Sequence, residues 1–362
     1  MSRSSPPDDI VYPATLPFVA VHFAGLAAIW TGVTGRALAI AAGLYLVRMF
    51  AITAGYHRLF SHRSYRTSRL FQFALGFLAQ TSAQTGVLWW AAKHREHHKH
   101  ADTELDPHSP GVRGFLFSHV GWIFHPRAHA ADYSYVPDLT RQPELVWLDR
   151  NKYLPAILLG AGCFLAAGWP GLVVGFFWST VATWHATFAI NSLAHVHGRQ
   201  RYVTGDESRN NFWLALITLG EGWHNNHHWF QGSVRQGFRW WEIDLTFYAL
   251  RLLAWTGLVW DLKSPPAEVV RGERPLPRAL VEKAAARLAA VVRTELERRR
   301  LSSLSGLKAS AARHHLPSLA ELRERAESMF ATTPSLDEIV ERARALLAES
   351  FELAEPSPAT AG

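Results

Sequence analysis

Two pairs of long apolar runs constrain the fold more than any other feature of the sequence. Residues 16–33 contain no Asp, Glu, Lys or Arg, and residues 37–56 contain only Arg48. The second pair covers residues 153–169 and 171–194 and contains no such residue. Runs of about 17 to 25 apolar residues can cross a bilayer as helices, which satisfy their own backbone polar groups. The pattern predicts two membrane hairpins and therefore four transmembrane helices. Buried helices of a soluble protein are the competing interpretation.

Arginine and lysine residues are distributed unevenly around these runs. The connection within the first pair carries only Arg36, whereas residues 57–152 and the chain after His195 are rich in both types. Basic segments next to membrane spans remain in the cytoplasm. We therefore expect a multi-pass membrane protein, for instance of the bacterial inner membrane, with both termini and the long central segment on the cytoplasmic side.

The chain is expected to have three parts. Residues 1–15 form an N-terminal cytosolic segment, and residues 16–266 form the membrane domain. After Pro266 the composition shifts to Ala, Arg and Glu with apolar positions at helical spacing, which predicts a helical tail over residues 267–362. The predicted fold is an all-α integral membrane protein with a cytosolic helical cap and a C-terminal helical tail of unknown role.

Cysteine content and charge exclude several classes of protein. Cys163 is the single cysteine, so a disulfide framework and multi-cysteine metal sites are excluded. The formal net charge of +7 is scattered along the chain, and no RNA-binding motif accompanies it. We therefore expect membrane lipids as partners and no nucleic acid.

Histidine is the compositional outlier, with 19 residues, and many of them are clustered. Within residues 94–98 and 224–228, three histidines lie three and four positions apart, so each trio shares one face of a helix. Nine histidines fall at the predicted cytoplasmic ends of the apolar runs, and an asparagine stands four residues before one of them. These candidates are His57, His62, His94, His97, His98, Asn191, His195, His224, His227 and His228.

Such clustering indicates a metal site rather than isolated core histidines. Neutral imidazole is a good ligand for divalent iron, copper, nickel and zinc. Nine imidazoles exceed the coordination number of one ion, so the pattern indicates two metals, or one metal with many supporting histidines around its ligands. Spacing alone leaves the metal open, and both redox chemistry and zinc hydrolysis are compatible with it.

Five sequence motifs resemble those of the membrane-bound acyl-CoA desaturases of the stearoyl-CoA type. They occur in that family's order, and the resemblance covers roughly residues 13–266, leaving the tail outside it. The motifs are TAGYHRLFSHRSY (53–65), HREHHKHADTELDPHS (94–109), RGFLFSHVGW (113–122), NSLAHVHG (191–198) and LGEGWHNNHHWF (219–230).

The resemblance implies a di-iron centre in the cytosolic cap. In that family the corresponding histidines bind two Fe²⁺ ions, and the asparagine contacts one iron through water. Carried over position by position, the nine histidines above become iron ligands and Asn191 becomes the outer contact.

The resemblance also implies an activity, namely the O₂-dependent insertion of a cis double bond, at carbon nine, into a long saturated acyl chain. The implied substrate is an acyl-CoA thioester or a related acyl lipid. No haem-binding or iron–sulfur module is recognisable in the sequence, so we expect electrons to come from a separate electron-transfer protein or reductase.

Candidate substrate contacts are weaker assignments. Trp90, Trp184, Thr187 and Trp223 are expected to line an acyl tunnel, although plain packing would also explain them. The vertebrate-type enzymes have an Arg-Asp pair that helps to hold coenzyme A, and here Ala92 and Lys93 replace it. Lys93 and Arg127 are therefore the candidate carrier-binding cations. We expect either that coenzyme A is held differently in this chain or that the acyl carrier is not coenzyme A.

Two other functions fit part of the pattern. A membrane di-iron fatty acid hydroxylase or alkane mono-oxygenase shares the histidine motifs and would give hydroxylated products. A non-enzymatic membrane metal-binding or transport protein would show reversible metal exchange and no consumption of oxygen.

Overall fold

The computed structural model describes residues 15–304, 316–330 and 335–352, apart from the side chain of Arg127 and those of a few helix-end residues, and it is mainly helical. The helices of its first part are α1 (Leu16–Gly25), α2 (Ala28–Thr31), α3 (Gly35–Phe50), α4 (Arg69–Gln80), α5 (Val87–His100), α6 (Pro110–Arg113), α7 (Phe115–His119), α8 (Pro126–His129) and α9 (Pro143–Arg150). Those of its second part are α10 (Leu154–Pro170), α11 (Ser179–Asn191), α12 (Phe212–Ile217), α13 (His224–Trp229), α14 (Leu245–Trp255), α15 (Ala267–Arg271), α16 (Arg278–Leu304), α17 (Leu319–Met329) and α18 (Leu336–Glu352).

Short segments of other geometry complete the fold. The π-helical segment Ala51–Ser61 continues α3. A second π-helical segment, Gly171–Trp178, leads directly into α11. Three 3₁₀ turns cover Gly121–Phe124, Tyr133–Tyr135 and Leu193–His195. The strands β1 (Arg66–Thr67) and β2 (Val259–Trp260) pair antiparallel, with Arg66 opposite Trp260.

The second apolar pair forms one helical stretch that bends sharply in the middle. Leu154–His195 spans 42 residues, but Ala167 and Gly168 have non-helical backbone angles, and Gly168 has a φ of 61°. After this bend the chain packs back on α10. A Cβ atom added at Gly160 would lie only 3.5 Å from the ring of Phe176. The bend therefore corresponds to the predicted hairpin connection.

The first apolar pair differs from its prediction in length. Leu16–Thr31 is interrupted at Leu26 and Ala27 and remains a short apolar helix, whereas Gly35–Ser61 continues for 27 residues into the first histidine motif. Two stretches of the described chain, Gly35–Ser61 and Leu154–His195, are long and apolar enough to cross a membrane. Four separate spans therefore remain a prediction, because one pair is continuous across its bend and the first run is broken.

Arg48 is the only charged residue within the apolar run 37–56, and it is fully buried. Its guanidinium donates to the carbonyl oxygen of Thr81 at 3.4 Å, to Oγ1 of Thr180 at 2.7 Å and to Oγ of Ser179. These neutral acceptors satisfy the hydrogen-bonding groups of a buried cation, which would otherwise be strongly destabilising. Arg48 thus ties α3 to the turn after α4 and to the start of α11.

The helical cap that carries the histidine motifs is built around α5, which contains the second of them. The N-terminus of α5 is capped from α9, because the carboxylate of Asp149 accepts the backbone N–H groups of Leu88 and Trp89 at 2.9 and 3.1 Å. A carboxylate at the N-terminus of a helix accepts hydrogen bonds from backbone N–H groups that have no partner within the helix. Its negative charge also interacts favourably with the positive end of the helix dipole. Gly86 is required here, since a Cβ at that position would overlap the side chain of Asp149.

The chain divides into two compact units near the predicted boundary at residue 266. The division falls between Pro265 and Pro266, with Gln200–Asp206 belonging to the second unit. In that unit α16, α17 and α18 share an apolar core that includes Leu288, Leu322 and Ile339. Helix α17 begins with a capping box in which Ser318 and Glu321 satisfy each other's backbone N–H groups.

Removing the cap of α5 tests this account of the cap's stability. We expect Asp149→Ala to lower the free energy of unfolding by about 1 to 2 kcal/mol, because two backbone donors lose their acceptor. Thermal unfolding in detergent measures the change. Glu273→Ala is the control, since Glu273 makes an exposed ion pair with Arg271. Equal melting temperatures for the two variants would contradict the capping role.

Candidate metal centre

Five of the predicted histidines surround one point. His57, His62, His94, His98 and His227 have ligand atoms that all lie within 4.8 Å of one another. The Nε2 atoms of His57 and His227 are 3.0 Å apart, and those of His62 and His94 are 2.8 Å apart. The cluster, here called cluster A, joins the end of the first long span to α5 and α13.

The other four predicted histidines form a second group, cluster B. His97, His195, His224 and His228 are buried, and their ligand atoms also lie within 4.8 Å of one another. The Nε2 atoms of His195 and His224 are 3.0 Å apart. Helix α5 contributes His94 and His98 to cluster A and His97 to cluster B. Helix α13 likewise contributes His227 to cluster A, and His224 and His228 to cluster B.

Carboxylates hold three of these imidazoles from behind. Nδ1 of His57 is 2.5 Å from Oε2 of Glu221, and Nδ1 of His195 is 2.9 Å from Oδ2 of Asp102. Asp106 lies 3.1 Å from Nδ1 of His97. A carboxylate that accepts the Nδ1 proton leaves Nε2 unprotonated, so that its lone pair faces the cluster.

These carboxylates are ionised despite their burial. Burial raises the pKa of Glu221, but its interactions with His57 and Arg58 outweigh this effect and bring the pKa to about 2. Burial likewise opposes ionisation of Asp102, but its contacts with His195 lower the pKa below the usual range. The negative charge next to each ligand therefore persists at neutral pH and strengthens the imidazole as a donor.

Five imidazoles of the clusters are held in their neutral form by a lowered pKa. Burial is the largest cause, and the positive charge of neighbouring histidines adds to it. The pKa values are lowered well below 6.5 for His62, His94, His98, His224 and His227.

The donor set fits two metal ions. Within cluster A the Nε2 of His98 is 3.0 Å from that of His94 and 2.9 Å from that of His227. A ring nitrogen that carries a proton cannot also accept one, so neutral rings cannot satisfy all of these contacts at once. Converging lone pairs in a buried site require a cation. Five and four nitrogen ligands, without cysteine, suit a divalent transition metal in each cluster. Asp106 and His108 form a further group with His97, but Asp106 is already engaged with Nδ1 of His97.

Helix α13, which carries the last three histidines, is fixed by a buried polar network. Nδ2 of Asn226 donates to the carbonyl oxygen of Gln236 and to Oε2 of Glu242, each at 2.9 Å. Its Oδ1 accepts from Nδ2 of Asn210 at 2.7 Å, and its backbone N–H donates to Oδ1 of Asn210 at 3.1 Å. Asn226 is thus a buried support for the histidine helix.

A cavity of about 850 Å³ reaches the clusters from the apolar helices. It is lined at one end by His94 and Asn191, and further along α11 by Thr187, Trp184 and Thr180. The side chain of Asn191 is half-buried at this boundary, while its carbonyl oxygen accepts from Oγ of Ser118 at 2.9 Å. Its role as an outer metal contact remains a prediction.

The structure brings most of the predicted substrate contacts to this cavity. Trp90 stacks on His94 at 5.0 Å between ring centroids, and Thr187 accepts from Gln84 at 3.1 Å. Trp184 donates to the carbonyl oxygen of Ser82 at 2.7 Å, and Lys93 lies at the polar end of the cavity.

Two predicted contacts are placed differently. Trp223 is not among the residues that line the cavity; it is buried, and its Nε1 donates to the carbonyl oxygen of Ile243 at 2.8 Å. The side chain of Arg127 lies outside the described part of the chain. The substrate roles of both residues remain predictions.

The sequence analysis missed the carboxylates that orient the ligands. Asp102 and Asp106 lie within the second motif, and Glu221 lies within the last one. Acidic residues inside histidine motifs were a usable signal, since metal-bound histidines usually donate their second N–H to an oxygen. Which carboxylate serves which histidine depends on long-range contacts, such as the one between residues 102 and 195.

Comparison with known sequences identifies the family. The pattern that describes the fatty acid desaturases matches residues 33–260, which is more than half of the chain. The chain belongs to the fatty acid desaturase family. The tail helices lie outside the matched region.

Relatives of this desaturase have been named for several acyl substrates. The sn-2 palmitoyl-lipid 9-desaturase of Nostoc sp. is 38% identical over 229 residues, which are 62% of this chain and 80% of that protein. The sn-1 stearoyl-lipid 9-desaturase of Anabaena variabilis is 38% identical over 252 residues, 69% of this chain and 92% of the relative. An acyl-CoA 5-desaturase of Anemone leveillei is 39% identical over 220 residues, 60% and 68% of the two chains.

Neutralising the carboxylate behind His57 tests its role in the desaturase site. We expect Glu221→Gln to weaken iron retention by about 10- to 100-fold, because the amide keeps the shape but not the charge. Competition with a chelator, followed by metal analysis, measures retention. Glu144→Gln serves as the control, since Glu144 pairs with Arg69 away from the clusters. Unchanged retention in Glu221→Gln would remove this carboxylate from the account.

The lowered histidine pKa values predict how the metal-free protein responds to acid. The unfolded chain protonates its histidines below about pH 6.5, whereas the folded chain keeps these five neutral, so stability is lost as the pH falls. Each such histidine removes about 1.4 kcal/mol of stability per pH unit below that value. We expect the melting temperature of iron-stripped protein to fall between about pH 7.5 and pH 5.5. An unchanged melting temperature over that range would contradict the neutral assignment.

Proposed function

We propose that this desaturase inserts a cis double bond into a long saturated acyl chain, at carbon nine, with a di-iron centre. The observation that carries the proposal is the position of the apolar cavity, which ends at His94 and Asn191 beside the two histidine clusters. The names of the Nostoc and Anabaena relatives, both 9-desaturases, support the position of the double bond. In the overall reaction the acyl chain loses two hydrogen atoms. Together with two electrons and two protons from the donor, they reduce one O₂ to two water molecules.

The residues of this chain have two tasks in that reaction. The nine histidines would hold the two irons, which when bound supply the oxygen-activating redox chemistry. The cavity walls hold the acyl chain, because methylenes along a saturated chain are chemically alike and position alone selects one. Trp90 and Trp184 contribute flat apolar walls, and both are fixed by hydrogen bonds to Gln84 or to Ser82.

We further propose the membrane arrangement that the sequence predicted. Leu16–Thr31, Gly35–Ser61 and the two arms of Leu154–His195 would give four spans, with the histidine clusters and both termini on the cytoplasmic side. The bend at Ala167 and Gly168 supports two arms rather than one continuous span. Electrons would arrive from a separate electron-transfer protein or reductase on that side.

The relatives are named both as acyl-lipid and as acyl-CoA desaturases. Their names therefore leave open whether the acyl chain is carried by a glycerolipid or by coenzyme A. The acyl-CoA carrier implied by the resemblance remains a prediction. Hydroxylation of the same chain is the alternative outcome for a di-iron site of this kind.

Expression in a host that lacks unsaturated acyl chains tests the proposed reaction. We expect its lipids to gain cis-9 unsaturated chains, with the double bond located by mass spectrometry. Hydroxylated chains in place of unsaturated ones would contradict desaturation.

Substitution of one cluster A ligand tests the site in the same host. We expect His227→Ala to reduce the unsaturated product by at least about 100-fold while the protein still inserts into the membrane. His22→Gln is the control, because His22 lies on α1 outside both clusters and is expected to be dispensable for metal binding. Retention of most activity by His227→Ala would remove it from the ligand set.

A further inference from the structure

The acyl cavity follows α11 away from the clusters into the apolar helices. Its lining begins at Asn191 and extends to Phe176, which corresponds to about 20 Å at 1.5 Å per helical residue. Most of this length lies within Leu154–His195, a stretch long and apolar enough to cross a membrane. The deep part of the cavity is therefore surrounded by helices that would face lipid.

The side of the cavity formed by α10 crosses from buried to exposed residues. Ala156 and Gly160 line the cavity and are buried, as expected for a closed wall. Tyr153, Ile157 and Ala161 line it as well, and they are exposed, with Ile157 65% and Tyr153 42% accessible. Residues four apart form one column on a helix. An exposed column within the lining means that the cavity opens sideways along α10.

Helix α1 supplies lining residues of the same kind. Pro17 and Val21, again four apart, line the cavity, and Pro17 is exposed while Val21 is half-buried. Phe18 of α1 also stacks on Trp184 of α11, with the ring centroids 5.0 Å apart. The opening, here called the lateral slot, is thus bounded by Pro17 and Val21 of α1 and by Tyr153, Ile157 and Ala161 of α10.

Polar groups occur at one end of the lateral slot. Lys152 precedes α10 and lies over the ring of Tyr153 at 5.2 Å, and Lys93 pairs with Glu96 at 2.9 Å. His129 lines the same cavity as Lys93 and Lys152. Lysines at the end of an apolar slot can reach a phosphate or glycerol group at the membrane interface.

We infer that one acyl chain of a membrane glycerolipid enters the cavity sideways through the lateral slot, while its headgroup stays at the interface beside Lys152. The inference rests on the proposed function and names the carrier that the proposal left open. A glycerolipid has a second acyl chain, and removing that chain from the bilayer would expose its methylenes to water at a cost in free energy. A sideways opening lets one chain reach the clusters while the other stays in lipid.

Blocking the lateral slot tests this route. The variants Ile157→Trp and Ala161→Trp fill the exposed column, and Leu158→Trp and Leu165→Trp are matched controls, because these exposed residues of α10 do not line the cavity. Each protein is placed in dioleoylphosphatidylcholine vesicles that contain distearoylphosphatidylglycerol, with an electron donor. We expect the two slot variants to desaturate the lipid-bound chains at least tenfold more slowly than wild type, the controls to stay within twofold, and iron content and melting temperature to be unchanged. Slot variants that remain within twofold of wild type would overturn the inference.

Two further arms separate this inference from the proposed function. Stearoyl-CoA is added to the same vesicles, and a wild-type protein that desaturates only this substrate overturns the lateral route but keeps desaturation. A phosphatidylcholine with a photoreactive diazirine in one acyl chain is then cross-linked in the absence of any reaction. We expect peptides containing Phe176 and Thr180 to be labelled in wild type and protected in Ile157→Trp. Labelling confined to outer positions such as Leu158 and Leu165 overturns the route, even in a preparation without desaturase activity.

Discussion

The convergence of neutral imidazoles is the constraint on which the rest of this structure depends. Several ring nitrogens 2.8–3.0 Å apart cannot all be satisfied by N–H···N bonds, because a nitrogen that carries a proton cannot also accept one, so this buried arrangement is unfavourable without a cation. The surrounding chain therefore has to hold nine histidines in place. Burial keeps five of the rings neutral, and Glu221, Asp102 and Asp106 bind the Nδ1 atoms of His57, His195 and His97, which face away from the clusters.

The scaffold converts this local requirement into a fold. Helix α5 serves both clusters, so its position is fixed at both ends, by Asp149 at its N-terminus and by the contacts of its histidines near its C-terminus. Arg58, which follows His57, donates to both Glu221 and Asp244 and thereby links the end of the first long span to the loops on either side of α13. The apolar helices then bring a cavity to the same point, so an apolar cavity and the polar histidine clusters meet at one boundary.

Much of this arrangement could be predicted from the sequence because its signals are local. Histidines three and four apart identify a shared helix face, and uninterrupted apolar runs identify candidate spans. The division into two clusters could not be predicted, because it depends on how α5 and α13 are oriented against each other. The interruption at Leu26 and Ala27 was also missed, since both residues are apolar and leave no trace in the hydropathy pattern. The exposed column of α10 was missed for the same reason, because apolar residues look alike whether they face lipid or a cavity.

The number and kind of metal ions test the central claim most directly. Protein purified without chelators and reloaded with ⁵⁷Fe²⁺ under anaerobic conditions can be analysed by elemental mass spectrometry and Mössbauer spectroscopy. The account predicts two iron ions per chain, in two nitrogen-rich environments that correspond to clusters A and B. A single iron per chain at saturation, or binding of zinc with exclusion of iron, would contradict it.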